Sequence, residues 1–198
     1  MKNIFLAVLL VSASLASFAQ DDEEKGGFKK EKLFTGGSLT LQFGNQFTAL
    51  GISPYFGYSL NKYIDVAASL NFNYTSQRDY YIIDDKVRQT VYGPGAFVRI
   101  YPVKFLFAQA QYEFNMIKQK YIPGSGYPNE KATFDAHSFL IGGGYAGGRE
   151  NGSNSFYYFS VLWDIGKNDY SPYKDNQLRA VPIFRAGYNI GLFQGRRR

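Results

Sequence analysis

The strongest pattern in the sequence is an alternation of apolar and polar residues that recurs from residue 36 to residue 193. In the stretch FLFAQAQYEFNMIK, residues 105–118, every second residue from Gln109 to Asn115 is polar, and the residues between them are apolar or aromatic. A period of two indicates β-strands, because successive side chains of a strand point to opposite faces. The pattern predicts eight strands, at residues 36–44, 48–60, 63–76, 87–101, 105–118, 133–147, 156–166 and 179–193.

The connections between these strands differ in length. The sequence predicts short turns at residues 45–46, 61–62 and 102–103, long polar loops at residues 77–86, 119–132 and 167–178, and an intermediate connection at residues 148–155. If both termini lie at one end, the three long loops emerge at the other end. Outer-membrane barrels have short turns at one end and longer loops at the other. We therefore predict an all-β fold, an eight-stranded antiparallel up-and-down transmembrane β-barrel.

The two faces of the predicted strands indicate which side meets lipid. One face carries many small polar residues together with the charged residues Asp65, Arg99, Glu113, Asp164 and Arg185. The other face is nearly free of charge over the roughly 9 to 11 residues that a tilted strand needs to cross a bilayer. The interior of an eight-stranded barrel is just wide enough to be filled by side chains. We therefore expect the polar face inside; a soluble, secreted lipocalin-like ligand-binding barrel, the alternative, needs the reverse arrangement.

Two prolines, Pro54 and Pro94, fall within predicted strands. Proline lacks the N–H that a ladder requires and normally avoids central strands. Because a closed barrel has no edge, we expect each proline to mark a bulge, a bend or a rim.

The ends of the chain differ in composition from the barrel. Residues 1–19 combine Lys2, an apolar stretch at residues 4–11 and the sequence Ser17-Phe18-Ala19, a pattern typical of a cleaved signal peptide. We expect residues 20–35 to form a mobile periplasmic tail, residues 36–193 the barrel, and residues 194–198 a basic periplasmic tail. The formal charge of +6 includes the three terminal arginines. An exported chain with this distribution is not expected to bind nucleic acid.

Several short motifs resemble the small, porin-like outer-membrane β-barrel proteins of Bacteroidetes and, more broadly, OmpA- and OmpX-type eight-stranded barrels. The resemblance rests on Phe43-Gly44-Asn45, on Ser53-Pro54 with Gly57-Tyr58, and on Gly93-Pro94 with Phe97-Val98-Arg99. It implies the barrel fold and the outer membrane of a Gram-negative bacterium, but no particular activity. Such barrels generally end on an aromatic residue, whereas this chain continues past Phe193 with QGRRR.

The sequence offers little support for catalysis or metal binding. The only histidine, His137, precedes Ser138 and follows Asp135, but neighbouring residues of a strand point to opposite faces and cannot easily pair. We expect His137 at the outer rim and predict no catalytic residue; a lipid hydrolase is the alternative. The loop carboxylates do not have the spacing of a calcium loop, so we predict no metal site and no cofactor. These carboxylates are Asp84, Asp85, Asp169 and Asp175.

The charges on the polar face are interpreted as structural pairs inside the bore. Asp65 and Arg99 lie about four residues from the turns of adjacent strands, so we expect them to pair and close the floor of the barrel. Arg185 and Glu113 are expected to pair across the bore. A proton- or ion-conducting role for these residues is the alternative.

The predicted loops are rich in tyrosine. Tyrosine is common both at membrane interfaces and at protein contact surfaces, so these residues are interface anchors or external contacts. They are Tyr80, Tyr81, Tyr121, Tyr127, Tyr170 and Tyr173.

Together these features predict a non-enzymatic outer-membrane barrel. Its role would be in envelope integrity, in surface interaction or as a subunit of an envelope complex. The expected partners are outer-membrane lipid and lipopolysaccharide, and other envelope proteins are a further candidate. A narrow channel for ions or small solutes is the alternative. The long loops are expected to be extracellular and both termini periplasmic.

Overall fold

A computed structural model describes residues 28–44, 46–79, 82–124, 128–149, 155–175 and 177–193. The predicted signal peptide, residues 20–27 of the predicted N-terminal tail and the basic tail 194–198 lie outside these ranges. A short 3-10 turn, Lys30–Lys32, precedes the first strand. The strands are β1 Leu33–Gly44, β2 Phe47–Ser59, β3 Ile64–Arg78, β4 Lys86–Val103, β5 Leu106–Ile122, β6 Glu130–Gly147, β7 Phe156–Asp164 and β8 Ile183–Gly191.

The eight strands form one closed barrel in which each strand pairs with its neighbours in the sequence and β8 pairs with β1. All eight pairings are antiparallel. Closure leaves no strand with an unpaired edge, so the backbone polar groups of the strands are satisfied within the sheet. The predicted eight-stranded up-and-down barrel is confirmed.

The connections lie at two ends of the barrel. The terminal end carries the beginning of β1, the end of β8, and the connections at residues 60–63, 104–105 and 148–155. The loop end carries the three longest predicted loops but also the short turn at residues 45–46, whose Gln46 carbonyl accepts a hydrogen bond from the Arg78 N–H at 2.9 Å. The long connections therefore lie at the loop end, as predicted, but this end also carries one short turn.

The strands differ in length. β4, β5 and β6 have 18, 17 and 18 residues, whereas β7 and β8 have nine each. At the loop end β4, β5 and β6 extend beyond their predicted limits, because residues that are no longer apolar still pair in the ladder. β8 begins four residues later than predicted, and β1 begins three residues earlier.

The apolar face of the sheet points outward. Large side chains such as Leu39, Leu70 and Phe159 are 53–58% exposed, while the residues between them on each strand are buried. The buried set includes many serine, asparagine and glutamine side chains. This arrangement confirms the predicted facing and is the reverse of a soluble lipocalin-like barrel. Within the described ranges, no helix has the length and apolar character needed to cross a membrane.

The two prolines inside strands do not cause bulges. Both are exposed on the outward face, and the register of the strand pairs is the same on either side of each proline. The ladder is interrupted between β2 and β3 beside Pro54, and between β4 and β5 beside Pro94. The register shift lies instead between Ile100 and Val103, at the terminal end of β4. Of the three alternatives expected for each proline, a bulge, a bend or a rim, the register contradicts the bulge for both residues.

Candidate functional site

From the terminal end to the middle of the barrel, the bore is filled by side chains in two layers. Beyond them, at the loop end, lies a cavity of about 330 Å³ whose lining includes Thr75, Gln89 and Gln119. Near the terminal end the inward positions form an aromatic layer, and nearer the loop end they form a polar layer. The buried charged side chains of the described residues are four acids and three arginines: Asp65, Asp85, Glu113, Asp164, Arg99, Arg149 and Arg185. Asp85 lies at the loop end, in the connection between β3 and β4. The aromatic layer contains Phe34, Tyr55, Ala67, Phe97, Tyr101, Phe107, Ala146, Phe156 and Tyr158.

Arg99 lies inside the aromatic layer. Its Nε donates a hydrogen bond to Gln109 Oε1 at 2.8 Å. The guanidinium carbon lies 4.0 Å from the ring centre of Tyr158 and 4.6 Å from that of Phe97. Cations within about 6 Å of an aromatic ring face are attracted to the ring electrons. Arg99 is therefore held by rings and an amide rather than by a carboxylate.

Asp65 forms its ion pair with a residue that the sequence pattern did not indicate. Asp65 and Arg99 are directly opposite each other on β3 and β4, as expected, but Arg149 Nη2 lies 3.3 Å from Asp65 Oδ2. Arg149 Nη1 also donates to the Lys62 carbonyl at 3.1 Å, and its guanidinium lies 3.5 Å from the ring centre of Tyr101. The predicted Asp65–Arg99 ion pair was wrong, because Arg99 turns towards Gln109.

Arg149 closes the terminal end of the bore from the connection between β6 and β7. It is only 8% exposed. The period-two pattern could not find it, because it lies just beyond the end of β6. One signal was present: the five predicted bore charges comprise three acids and two arginines, and a buried charge generally needs a partner. A third cation was therefore missing from the predicted set.

The polar layer contains a chain of hydrogen bonds along β5. Gln109 Nε2 donates to Gln111 Oε1 at 2.7 Å, and Gln111 Nε2 donates to Glu113 Oε1 at 2.7 Å. These three residues occupy successive inward positions of one strand. The chain begins at Arg99 in the aromatic layer and therefore connects the two layers.

Arg185 and Glu113 form a buried ion pair at the centre of the polar layer. Arg185 Nη2 lies 2.9 Å from Glu113 Oε1, with side-chain exposures of 3% and 0%. Arg185 Nη1 donates to Gln111 Oε1 at 2.9 Å. Two buried charges are tolerated when good geometry and further hydrogen bonds offset the cost of removing them from water. The sequence placed these two residues together.

The loop between β7 and β8, residues 165–182, folds into the bore and closes the loop end. The Tyr173 hydroxyl donates to Glu113 Oε2 at 2.6 Å and accepts from Asn73 Nδ2 at 3.2 Å. Ser171 Oγ donates to the Asp164 carboxylate and lies 3.0 Å from Ser138 Oγ. The loop is thus attached to the bore by contacts with inward residues of β3, β5, β6 and β7.

Tyr173 corrects the expectation that the loop tyrosines are external. It is 3% exposed and belongs to a small core cluster inside the barrel. Tyr170, in the same loop, is 67% exposed, and Tyr121 is half-buried at the end of β5. The remaining three, Tyr80, Tyr81 and Tyr127, lie outside the described residues.

A cavity of about 10 Å³ lies between the two layers, beside Arg99, Arg185 and Tyr158. One water molecule needs roughly 10 to 15 Å³ of such space. The space at this point of the bore is therefore too small for a hydrated ion.

The geometry around His137 does not form a hydrolytic triad. Ser138 points into the bore and is 1% exposed, whereas His137 is exposed on the outward face. His137 Nδ1 lies 2.6 Å from the Tyr112 hydroxyl, and the residue is directly opposite Phe114 in the middle of β5. The expected position at the outer rim was wrong, because β6 continues well beyond this residue towards the loop end.

Most of the loop carboxylates form ion pairs or hydrogen bonds with residues of their own loops. Asp175 pairs with Arg179 at 2.9 Å and Asp169 with Lys174 at 3.8 Å. Asp85 Oδ2 accepts from the Ile82 N–H at 3.1 Å, and Asp84 is exposed. Among the described residues, no three histidine or acidic side chains cluster in a way that would hold a metal ion.

The closed strand order, the apolar exterior and the filled bore define a membrane-spanning eight-stranded β-barrel. No protein-family model matches the sequence, and a search of curated proteins finds no match.

The solved structures to which this chain is similar include two of Ail and one of Neisserial surface protein A. Ail, the attachment invasion locus protein of Yersinia pestis, is 12% identical in its complex with the heparin analogue sucrose octasulfate and 13% identical alone, with a TM-score of 0.48 in both cases. Each match covers 80% of this chain and 96% of Ail. Neisserial surface protein A is 16% identical with a TM-score of 0.39, covering 80% and 95%.

Proposed function

We propose that this protein is a non-enzymatic barrel of a Gram-negative outer membrane, with the terminal end in the periplasm and the loop end outside the cell. It acts as a rigid anchor that presents the loop end to the surroundings. Its role is in envelope integrity, in surface interaction or as a subunit of an envelope complex. The apolar exterior supports insertion in a membrane, because charge is costly on a lipid-facing strand.

The observation that carries this proposal is the double closure of the bore. Arg149 closes the terminal end through Asp65, and Tyr173 closes the loop end through Glu113. Aromatic and polar side chains fill the space between them. A barrel filled in this way supports an anchoring role better than the transport of solutes.

Membrane insertion is tested with cell fractions and SDS gels. A closed barrel has every strand paired and resists SDS until it is heated. We expect the protein in the outer-membrane fraction, with a band that shifts on boiling. A soluble periplasmic protein without a shift would contradict the proposal.

Orientation is tested with single cysteines, because the natural sequence contains none. Asp84→Cys places a thiol on an exposed residue of the loop end, and Lys62→Cys places one on an exposed residue of the terminal end. In intact cells, a reagent that cannot cross membranes should label only the Asp84→Cys variant. After the cells are broken, both variants should react. Labelling of Lys62→Cys alone in intact cells would reverse the proposed orientation.

A narrow channel is a second candidate, because a hydrogen-bonded chain runs from Tyr173 through Glu113, Gln111 and Gln109 to Arg99. Single-channel recording in a planar bilayer distinguishes the anchoring role from the channel. The anchor predicts no discrete conductance steps in the wild-type protein. Steps that are abolished by Glu113→Gln and retained in Asp84→Asn, a change outside the bore, would favour the channel.

A further inference from the structure

The outward-facing cations of the strands are confined to one part of the barrel. β1 and β2 contain no charged residue, and the only charged residues of β7 and β8, Asp164 and Arg185, point into the bore. The outward cations lie at the loop end of β3, β4, β5 and β6, and we name them the cationic arc. Its members are Arg78, Lys86, Arg88, Lys118, Lys120 and Lys131.

The strand register brings like charges of the cationic arc directly opposite each other. Arg88 on β4 is paired with Lys120 on β5, and Lys120 is paired with Lys131 on β6. One row further out, Arg78 on β3 is paired with Lys86 on β4. Like charges directly opposite on one face of a sheet are destabilising without compensation. The arrangement therefore favours an external anion.

Several described acids also lie at the loop end: Asp79 follows Arg78, Asp84 precedes Lys86 by two residues, and Glu130 precedes Lys131. None of the six cations forms an ion pair in the described part of the chain. On the outward face of β6 the acid is Asp135, which is paired with Met116. This pair lies one outward row closer to the apolar surface than the pair of Lys118 and Thr133. The undescribed residues of the four loop-end connections have no charged side chain.

The arc lies where lipid headgroups would be. On β5 the outward residues change from Phe114 and Met116 to Lys118 and Lys120. Lys118 Nζ lies 5.3 Å from the ring centre of Tyr92, so its side chain extends back towards the apolar surface. Aromatic residues mark the edge of the apolar band in membrane barrels. The cations therefore begin at the level at which lipid phosphates lie.

We propose that the cationic arc binds the phosphates of a lipid whose headgroup carries more than one phosphate, in the leaflet that the loop end contacts. The inference rests on the proposed function, because it requires an inserted barrel. A headgroup with two phosphates can contact neighbouring rows of the arc at once, and linked contacts bind more tightly than separate ones. The arginines can bind a phosphate oxygen pair through two parallel hydrogen bonds.

The test compares an arc variant with a matched control from the same end. The arc variant combines Arg88→Gln, Lys120→Gln and Lys131→Gln. The control combines Lys167→Gln, Lys174→Gln and Arg179→Gln, which removes the same number of charges from the β7–β8 loop. Each full-length mature protein is inserted into phosphatidylcholine vesicles that contain either lipid A with two phosphates or phosphatidylglycerol at equal total charge. The lipid retained after mild detergent extraction is counted by native mass spectrometry.

The wild-type protein and the control should retain lipid A in preference to phosphatidylglycerol. Since each Lys or Arg near an anionic lipid surface strengthens binding about five-fold, the arc variant should bind lipid A on the order of 100-fold more weakly. Equal losses in both variants, no loss in the arc variant, or equal retention of both lipids by the wild-type protein would overturn the inference. The heat shift of each inserted sample is measured first. A wild-type protein that never inserts contradicts the proposed function and, with it, this inference.

Discussion

Arg99 and Arg185 are both buried arginines of one bore, but their surroundings differ. Arg185 has a carboxylate partner, Glu113, at 2.9 Å. Arg99 has aromatic rings and the Gln109 amide, although Asp65 is directly opposite in the sheet. The comparison indicates that strand register determines which charged residues are neighbours, whereas the packing around each side chain determines which of its neighbours it contacts. It also predicts unequal consequences when each arginine is removed.

The largest effect is expected for Arg185→Met. The change leaves Glu113 buried without its cation, and breaking a buried pair from one side costs about 3–5 kcal/mol. The free energy of unfolding in urea, followed by the fluorescence of the single tryptophan, Trp163, should fall by this amount. In the double variant Arg185→Met/Glu113→Leu part of the loss should be recovered, since no charge is then stranded, although the Tyr173 hydroxyl and the Gln111 amide lose their acceptor. A double variant less stable than the single one would contradict this account.

Much of this comparison could be predicted from the sequence, but not all of it. Alternation placed Glu113 and Arg185 on the inward face, and a buried charge generally needs a partner. The same alternation gives Phe97 the face of Arg99 and Tyr158 the face of Asp164, so two of the aromatic residues that contact Arg99 were visible in the sequence. A period of two gives the face of a residue and not its contacts, which is why Asp65 was assigned to Arg99.

The contributions of the connections could not be predicted in this way. Arg149 lies beyond the end of β6, and Tyr173 lies in the long loop between β7 and β8. Residues in irregular segments have no periodicity that fixes the direction of their side chains. Only the excess of acid in the predicted bore hinted that a further cation was needed. The strands and their facing are thus encoded locally, whereas closure of the bore depends on how two loops fold back.

A smaller effect is expected for Tyr173→Phe, which tests the contact between the β7–β8 loop and the polar layer. The change removes the hydroxyl that donates to Glu113 at 2.6 Å. A hydrogen bond to a charged group contributes about 1.5–3 kcal/mol, so the free energy of unfolding should fall by about 2 kcal/mol. Tyr170→Phe, in the same loop but exposed, is the matched control and should leave stability unchanged. Equal losses in the two variants would show that Tyr173 does not bind the polar layer through its hydroxyl.

Arg99→Met should cost less than Arg185→Met. No carboxylate loses its ion-pair partner, and a methionine side chain can occupy part of the space between the rings. The variant loses the contacts between the cation and the rings, worth about 0.5–2 kcal/mol, and the hydrogen bond to Gln109. A hydrogen bond of a charged group contributes about 1.5–3 kcal/mol, and packing of the methionine offsets part of both losses. We therefore expect a loss of about 2 kcal/mol in the urea unfolding experiment, close to that of Tyr173→Phe and below that of Arg185→Met. A loss as large as that of Arg185→Met would show that Arg99 also compensates a buried carboxylate, and the contrast between the two arginines would fail.

The smallest effect concerns pH and the loop that carries Tyr173. Slight burial acts to raise the pKa of the Asp175 carboxyl, but hydrogen bonds from Arg179 and Gln177 outweigh it and hold that pKa below its usual range. A carboxyl with a lowered pKa in the folded state stabilises its loop above the unfolded value of about 3.9 and loses this contribution as the pH falls through the folded value.

NMR titration in detergent micelles measures this effect directly. The amide N–H groups of Gln177 and Arg179 both donate to Asp175 Oδ1 at 2.9 Å, so their signals should shift together with a midpoint below about 3.9. Asp175→Asn should abolish the shared titration. The signals of Arg185, whose partner is held deep in the bore, should change little at the same midpoint. If the Arg185 signals shift with the same midpoint as those of Gln177 and Arg179, the polar layer depends on the β7–β8 loop more than on the Arg185–Glu113 ion pair. The difference between Arg185 and Arg99 would then arise from the loop.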